Sequence, residues 1–274
     1  MINQRIGIII PLQPRAGLLA AAAEYGVQRV ELNCWAPETY STELAETLPA
    51  DAARLGITIT ALWAGWPGPK AWDFIDGPRT LGIVPPEWRA VRIEALKQGA
   101  DFAHRLSLPA IITHLGYIPE NASDPAFADV VAAVKEVAVY LAERGMQFWF
   151  ETGQETPVTM LRLIHEVRTG NLGINLDPAN LILYGKANPV DALDVFGQYV
   201  RSVHAKDGRY PTDPYHLGHE VKIGQGKVNF PALVARLAEL DYHGPLIIER
   251  EISGEQQVID MKEAITYLST LLYS

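Results

Sequence analysis

Four residues carry the chemistry this sequence announces: Glu151, Asp177, His204 and Glu249. Each follows a short apolar run: QFWF precedes Glu151, GINL precedes Asp177, RSV leads into His204 and LII precedes Glu249. If the four runs are adjacent parallel strands, their ends deliver three carboxylates and one imidazole to a single rim. Three buried carboxylates at one place repel one another unless a cation sits among them. A divalent metal ion resolves this, and one imidazole plus three carboxylates is a reasonable ligand set. Hard oxygen donors favour Mn²⁺ or Mg²⁺, while the imidazole leaves Zn²⁺, Co²⁺ or Fe²⁺ open. Taken singly, a carboxylate at a strand end is as readily a helix cap or an ion-pair partner. The coincidence of four is what points to a metal.

The elements that would position these residues can be read from hydrophobic pattern. Short β-branched runs at 6–10, 28–32, 58–63, 110–114, 147–151, 173–177, 201–206 and 246–249 alternate with longer amphipathic stretches. Most are near-continuous apolar runs, as expected of parallel strands buried on both faces. Helical patterns cover 17–25, 42–55, 87–106, 125–144 and 255–273. Ser41 and Asp124 stand at cap positions, and Pro125 and Pro231 suit a first turn. Eight strands alternating with helices predict an α/β fold, a (β/α)8 TIM barrel, with residues 1–274 as a single domain. An open doubly wound sheet would want a glycine-rich phosphate turn after the first strand, and IIPLQPRAG lacks it.

Two connections exceed ordinary turns. Residues 63–86 are rich in Gly, Pro and Trp, and 207–228 hold a polar run with His216, His219 and Glu220. Both follow strands, so both belong on the C-terminal face where barrel active sites sit. Trp35, Trp63, Trp66 and Trp72 could form the apolar wall of a ligand pocket, with Trp66 or Trp72 the preferred contact in a lid. His114, ending the fourth strand, and Lys206 are candidate substrate contacts, and Asp207 could orient a ligand or form a rim salt bridge. Glu31, at the second strand, could bind a substrate hydroxyl, support a ligand, or serve as a cap or ion pair. Gly224-Gln225-Gly226 reads as flexible turn chemistry rather than a phosphate loop.

Composition narrows the rest. The 274 residues carry a formal net charge of −9, which opposes general nucleic-acid binding. One cysteine, Cys34, excludes an internal disulfide and a cysteine-built metal site, and reads as a small buried hydrophobe. Neither a signal peptide nor a membrane span is evident, so the expectation is a cytoplasmic protein. No GxSxG elbow or P-loop supports a serine hydrolase or a nucleotide kinase.

The runs FET at Glu151, NLDPANL around Asp177, VHAKD around His204 and IIERE around Glu249 resemble the xylose-isomerase-like sugar (phosphate) isomerase/epimerase superfamily. This superfamily includes ketose 3-epimerases, hydroxypyruvate isomerase, inosose-processing enzymes and, more distantly, endonuclease IV. The resemblance implies a (β/α)8 barrel and places the metal ligands on the same four residues. It implies a divalent-metal-dependent isomerase or epimerase that moves a proton next to a carbonyl through a metal-stabilised enediolate, with Mn²⁺ the first choice and Mg²⁺, Co²⁺ or Zn²⁺ alternatives. It assigns Glu151 and Glu249 as the acid/base pair. It also allows a homo-oligomer.

The resemblance is stronger at the metal centre than at the substrate clamp. Where the ketose epimerases carry a His three residues after the sixth-strand Asp, this chain has Asn180. Their Glu six residues after the first ligand is Pro157, with Glu155 the nearest acid, and an expected Arg is Tyr210, with Arg209 beside it. Asn180, Glu155 and Arg209 are therefore the substrate-contact candidates by resemblance. The departures leave a lyase or dehydratase acting on a keto-sugar, inosose or keto-glycoside as the alternative. A metal-dependent endonuclease and a non-catalytic sugar-binding barrel are further readings. The first would need a basic groove, and the second would tolerate loss of Glu249.

Overall fold

The computed structural model describes residues 4–15 and 17–273. The single-domain assignment also takes in 1–3, 16 and 274, which lie outside the described residues. Eight parallel strands close a barrel: β1 (Ile6–Pro11), β2 (Arg29–Cys34), β3 (Thr58–Ala64), β4 (Ala110–Thr113), β5 (Gln147–Glu151), β6 (Leu172–Leu176), β7 (Val200–Ala205) and β10 (Leu246–Ile248). Between β7 and β10, β8 (Asp207–Arg209) and β9 (His219–Val221) pair as a small antiparallel hairpin. β1 closes the ring by pairing with both β2 and β10. All eight expected barrel strands are present, each within two residues of its sequence-read bounds.

The strands form because both faces are buried. β4 and β6 are buried at every residue. Outward side chains such as Phe148, Phe150, Ile174 and Val203 pack in the core beneath the surrounding helices. Inward side chains form a separate plug of Ala61, Trp63, Ala110, Ile112 and Trp149. Gly173 makes room for this plug, since a Cβ there would stand 2.6 Å from the Trp149 ring. The barrel is thus filled below its rim, and the chemistry is confined to the C-terminal end.

The helices Thr42–Leu55, Pro86–Arg105, Pro125–Ala142 and Glu255–Tyr273 match the sequence pattern closely. Ser41 Oγ accepts from Leu44 N and Asp124 Oδ1 accepts from Ala126 N, so both predicted caps are made. Helices at Pro157–Val167, Pro178–Leu183, Pro189–Phe196 and Phe230–Glu239 complete the ring. Among the described residues, no helix is long and apolar enough to cross a membrane. Cys34 is buried and free.

The loop between β3 and the Pro86–Arg105 helix is held from below by one side chain. Arg92, fully buried, donates to the carbonyls of Pro67 (3.0 Å), Gly82 (2.6 Å) and Pro69 (2.8 Å). Tyr117 Oη adds a bond to Asp73 O at 2.7 Å. These contacts set the loop that carries Trp72 over the barrel mouth.

Candidate metal centre and cavity

The four strand-end residues converge. Glu151, Asp177, His204 and Glu249 each offer one ligand atom, and all four atoms lie within 4.8 Å of one another. Metal–ligand bonds of about 2.0–2.3 Å put opposed donors roughly 4–4.6 Å apart, so the cluster has the dimensions of a single-ion site. Side-chain direction explains the convergence: residues two apart on a strand share a face, and these four all fall on the inward face at the strand ends.

Each ligand is aimed by a local device. Asp177 caps the Pro178–Leu183 helix, its Oδ1 accepting from Asn180 N at 2.9 Å. Capping and ligation are therefore compatible: Oδ2 receives no hydrogen bond and faces Lys206 Nζ at 3.3 Å. Thr152 locks the Asp177 backbone, donating to its carbonyl at 2.8 Å and accepting from its N–H at 2.9 Å. Glu151 Oε2 accepts from the Trp63 indole, and Oε1 accepts from Asn180 Nδ2 at 3.3 Å. His204 Nδ1 lies 3.1 Å from Glu151 Oε1 and 3.4 Å from Glu249 Oε2. Its Nε2 meets Glu31 Oε1 at 2.8 Å. Lys206 Nζ contacts Asp177 and Glu249 at 3.3 Å each and Glu251 at 3.1 Å.

Charge is crowded here. Burial drives the Asp177 carboxyl up; Lys206 opposes this, while Glu249 and Glu151 add to it. Burial also pushes Glu249 up, but Lys206 and His204 outweigh it and hold this carboxyl well below its ordinary value. In Glu151 burial is outweighed by His114 and His204, and the net direction is down. Burial lowers His114, whereas in His204 the facing Glu31, Glu151 and Glu249 overcome burial and raise it. Carboxylates so close together, with one oxygen of Asp177 free of hydrogen bonds, fit a divalent cation.

Beside the quartet lies a cavity of about 280 Å³. Trp35, Trp63 and Trp72 wall one side, with Trp35–Trp63 ring centroids 4.4 Å apart. His114, Asn180, Lys206, Glu151 and Glu249 line it as expected from the sequence. His114 Nε2 is 3.4 Å from Glu151 Oε2, and its ring meets Trp72 edge-on at 5.1 Å. Five residues not singled out from the sequence also line it: Asn33, Leu183, Tyr184, Leu217 and Glu251. Tyr184 sits four positions after Asn180, one helical turn along the same face, which is a signal the sequence did contain. Leu217 could not be found that way, because its place depends on how the loop after β7 folds.

Three expected substrate contacts lie elsewhere. Trp66 is fully buried beneath the cavity, donating to Thr113 Oγ1 at 3.1 Å with the Arg92 guanidinium 4.3 Å over its ring. Thr113 of β4 takes its polar atom and Arg92 of the following helix covers its ring. Arg209 is exposed and turns away to Gln225 O at 3.4 Å. Glu155 is buried but folds back on Gly153 N at 3.3 Å rather than lining the cavity.

Burial pushes the Glu155 carboxyl from an ordinary 4.5 up to about 7. The folded chain then holds this proton more tightly than the unfolded chain. The stability it contributes is full below about pH 4.5 and is lost as pH rises to about 7. Glu155→Gln should remove that part of the loss, which melting curves across this window would reveal as a shallower fall.

Asp207 has neither of its expected roles. Its carboxylate accepts from the backbone N–H groups of Gly208 (2.8 Å), Gly224 (2.9 Å), Gly226 (2.9 Å) and Val228 (3.2 Å). A Cβ at Gly226 would stand 2.0 Å from Asp207 Oδ1, so the glycine is required for this close approach. Asp207 thus ties down the loop that presents Leu217 to the cavity. Asp207→Asn replaces an acceptor by a donor facing N–H groups, a loss of about 2 kcal/mol. The expected result is faster proteolysis within 207–228 and a KM raised more than kcat is lowered.

The sequence matches the family described as xylose isomerase-like TIM barrel over residues 19–271. The structure of a xylose isomerase domain protein from Planctomyces limnophilus is 36% identical, with a TM-score of 0.91, covering 97% of this chain and 96% of that one. The uncharacterized protein MJ1311 of Methanocaldococcus jannaschii is 26% identical over 174 residues, 60% of this chain. An L-ribulose 3-epimerase of Methylomonas sp. is 28% identical over 182 residues, 62% of this chain. The matched stretch spans 58% of the length of each of these two relatives. With a matching barrel and a candidate metal centre at its C-terminal rim, this chain belongs to the xylose isomerase-like TIM barrel family.

Proposed function

We propose that this protein, with residues 1–274 as one barrel domain, is a divalent-metal-dependent epimerase or isomerase of an uncharged keto-sugar. The observation that carries the reading is that Glu151 and Glu249, from separate strands, both reach His204 Nδ1, at 3.1 and 3.4 Å, beside a tryptophan-walled cavity. Glu151, Asp177, His204 and Glu249 would hold the ion, with Mn²⁺ the first choice for this donor set. When bound, the ion supplies Lewis-acid polarisation of the sugar carbonyl. One glutamate then takes the proton from the carbon next to the carbonyl and the other returns a proton. Return to the opposite face of the same carbon gives an epimer; delivery to the neighbouring carbon gives an isomer. The L-ribulose 3-epimerase relative supports this class of reaction.

An uncharged substrate follows from the cavity's own charges. Among the described residues lining it, Lys206 is the one Lys or Arg, and three carboxylates already surround its ammonium. A phosphate would meet Glu151, Glu249 and Glu251 without a free cation to receive it. The tryptophan faces suit sugar C–H surfaces.

The second reading is elimination from a keto-sugar or keto-glycoside after the same proton abstraction. Lys206 favours it, as an N–H donor 3.3 Å from Glu249 Oε2 that could protonate a departing oxygen.

The test is solvent exchange. Chelator-treated protein is incubated in D₂O with free ketoses, their phosphates and 3-keto-glycosides, with and without Mn²⁺. Metal-dependent deuterium incorporation at one carbon of a free keto-sugar is expected. An epimer or isomer as product supports the first reading, and an unsaturated product supports the second. Exchange confined to phosphorylated sugars, or exchange without metal, would sink the proposal.

A further inference from the structure

Glu31 lies at the third position of β2, wholly buried, and its Oε1 stands 2.8 Å from His204 Nε2, a residue 173 positions away in the chain. The other ring nitrogen, Nδ1, faces Glu151 and Glu249. A carboxylate only accepts hydrogen bonds, so Nε2, the nitrogen with the shorter contact, donates to Glu31, while a cation held by Glu151 and Glu249 would take the place of a proton on Nδ1. An imidazole that carries its one neutral-state proton on Nε2 presents a lone pair from Nδ1.

The backbone is shaped for this contact. The pairing of β2 with β3 shifts between Val30 and Glu31, because Val30 opposes Ile59 while Glu31 opposes Ala61. Thr60 is the extra residue, and its hydroxyl donates to Val30 O at 3.1 Å. Such irregularities redirect a neighbouring side chain. Here the bulge sits where the Glu31 side chain enters the barrel interior towards β7.

We propose that Glu31 is a positioning residue for the metal centre: by accepting from His204 Nε2–H it fixes the ring's orientation and tautomer, so that Nδ1 is the nitrogen offered to a divalent cation. The inference rests on the metal reading above and goes beyond it in assigning the nitrogen and the residue that selects it. Glu31 is not itself one of the four ligands. Partners of this kind, when removed, weaken metal binding by about 10–100-fold.

Two measurements test it. The first is the Mn²⁺ dissociation constant of the wild-type chain and of Glu31→Gln, which keeps the shape and removes the charge. The second is the imidazole ¹⁵N–¹H spectrum of the Zn²⁺-loaded wild-type chain, with His204→Asn used to assign the signal. Expected are a 10–100-fold weaker Mn²⁺ affinity in Glu31→Gln and a His204 proton on Nε2, shifted downfield by its carboxylate acceptor. That proton should move upfield in Glu31→Gln, a change that loosened packing alone would not produce. Equal Mn²⁺ affinities, or a His204 proton found on Nδ1, would overturn the role of Glu31 while leaving the metal site intact. A wild-type chain that binds neither ion would overturn the metal reading itself, and this inference with it. If Glu31→Gln does not fold, the wild-type spectrum still decides which nitrogen carries the proton.

Discussion

Glu249→Gln is expected to lower metal-dependent exchange of the substrate proton by about 10²–10⁴-fold, the usual contribution of a positioned acid or base. Glutamine keeps the volume of the side chain and one of its oxygens, so the rim should remain formed. It has no ionisable oxygen to accept or return a proton. Glu249 is also the less enclosed of the two candidate glutamates, with 17% of its side chain exposed against 3% for Glu151. It can therefore reach a substrate in the cavity with little rearrangement. Measurement at saturating Mn²⁺ separates lost proton transfer from weakened metal binding. Glu151→Gln should lower net conversion to the epimer by a similar factor, because one glutamate alone cannot complete an inversion. Exchange within threefold of wild type in both variants would reject the acid/base pair. Unchanged sugar binding with no exchange in any form would instead favour a non-catalytic barrel.

Lys206→Met should have the largest effect on stability. Lys206 is 2% exposed, and its ammonium contacts Asp177, Glu249 and Glu251 within 3.3 Å. Burial alone would lower its proton affinity, but these carboxylates overcome burial and raise it well above the ordinary value. The ammonium therefore stays charged and is the main counter-ion of the rim in the metal-free chain. Methionine fills the space and leaves Asp177 and Glu249 facing Glu151 without their ammonium partner. Removing one partner from a buried ionic cluster costs about 3–5 kcal/mol. A bound divalent ion supplies the missing charge, and ligand at 100 times its dissociation constant stabilises the native state by about 2.7 kcal/mol. Urea unfolding of metal-free Lys206→Met should show the loss, and saturating Mn²⁺ should restore most of it. A metal-free variant as stable as wild type would refute this, as would a deficit that Mn²⁺ leaves unchanged.

The barrel and the quartet were legible because both depend on local pattern. β5, β6 and β10 are mostly apolar runs that end at, or one residue before, a polar residue that cannot be buried without a partner, and β7 carries His204 one residue before its end. Parallel strands in a closed sheet end on one face, so Glu151, Asp177, His204 and Glu249 had to share a rim once the strands were found. Strand ends were readable to within two residues for the same reason: burial on both faces demands an unbroken apolar run.

Loop residues gave no such guide. Trp66 and Trp72 share one Gly/Pro-rich loop and one residue type, yet Trp72 lines the cavity and Trp66 lies under it. What separates them is Arg92 and Thr113, contributed by the next helix and the next strand. Arg209 and Asp207 are two positions apart, and the carboxylate turns inward to four backbone N–H groups while the guanidinium faces solvent.

Glu31 shows the boundary most clearly. Its place on a buried strand could be read from the sequence, but its partner could not. Sequence by itself determined which residues must be buried, which strands carry them, and that their charged ends would meet at one rim. Tertiary structure alone decided which atom faces which: Glu31 against His204 Nε2, Lys206 among three carboxylates, Trp66 beneath the lid. The physical reason is range. Burial and strand period act between neighbours in the chain, whereas the direction of a polar side chain is set by partners that only barrel closure brings within 3 Å of it, as β2 and β7 are brought together at His204.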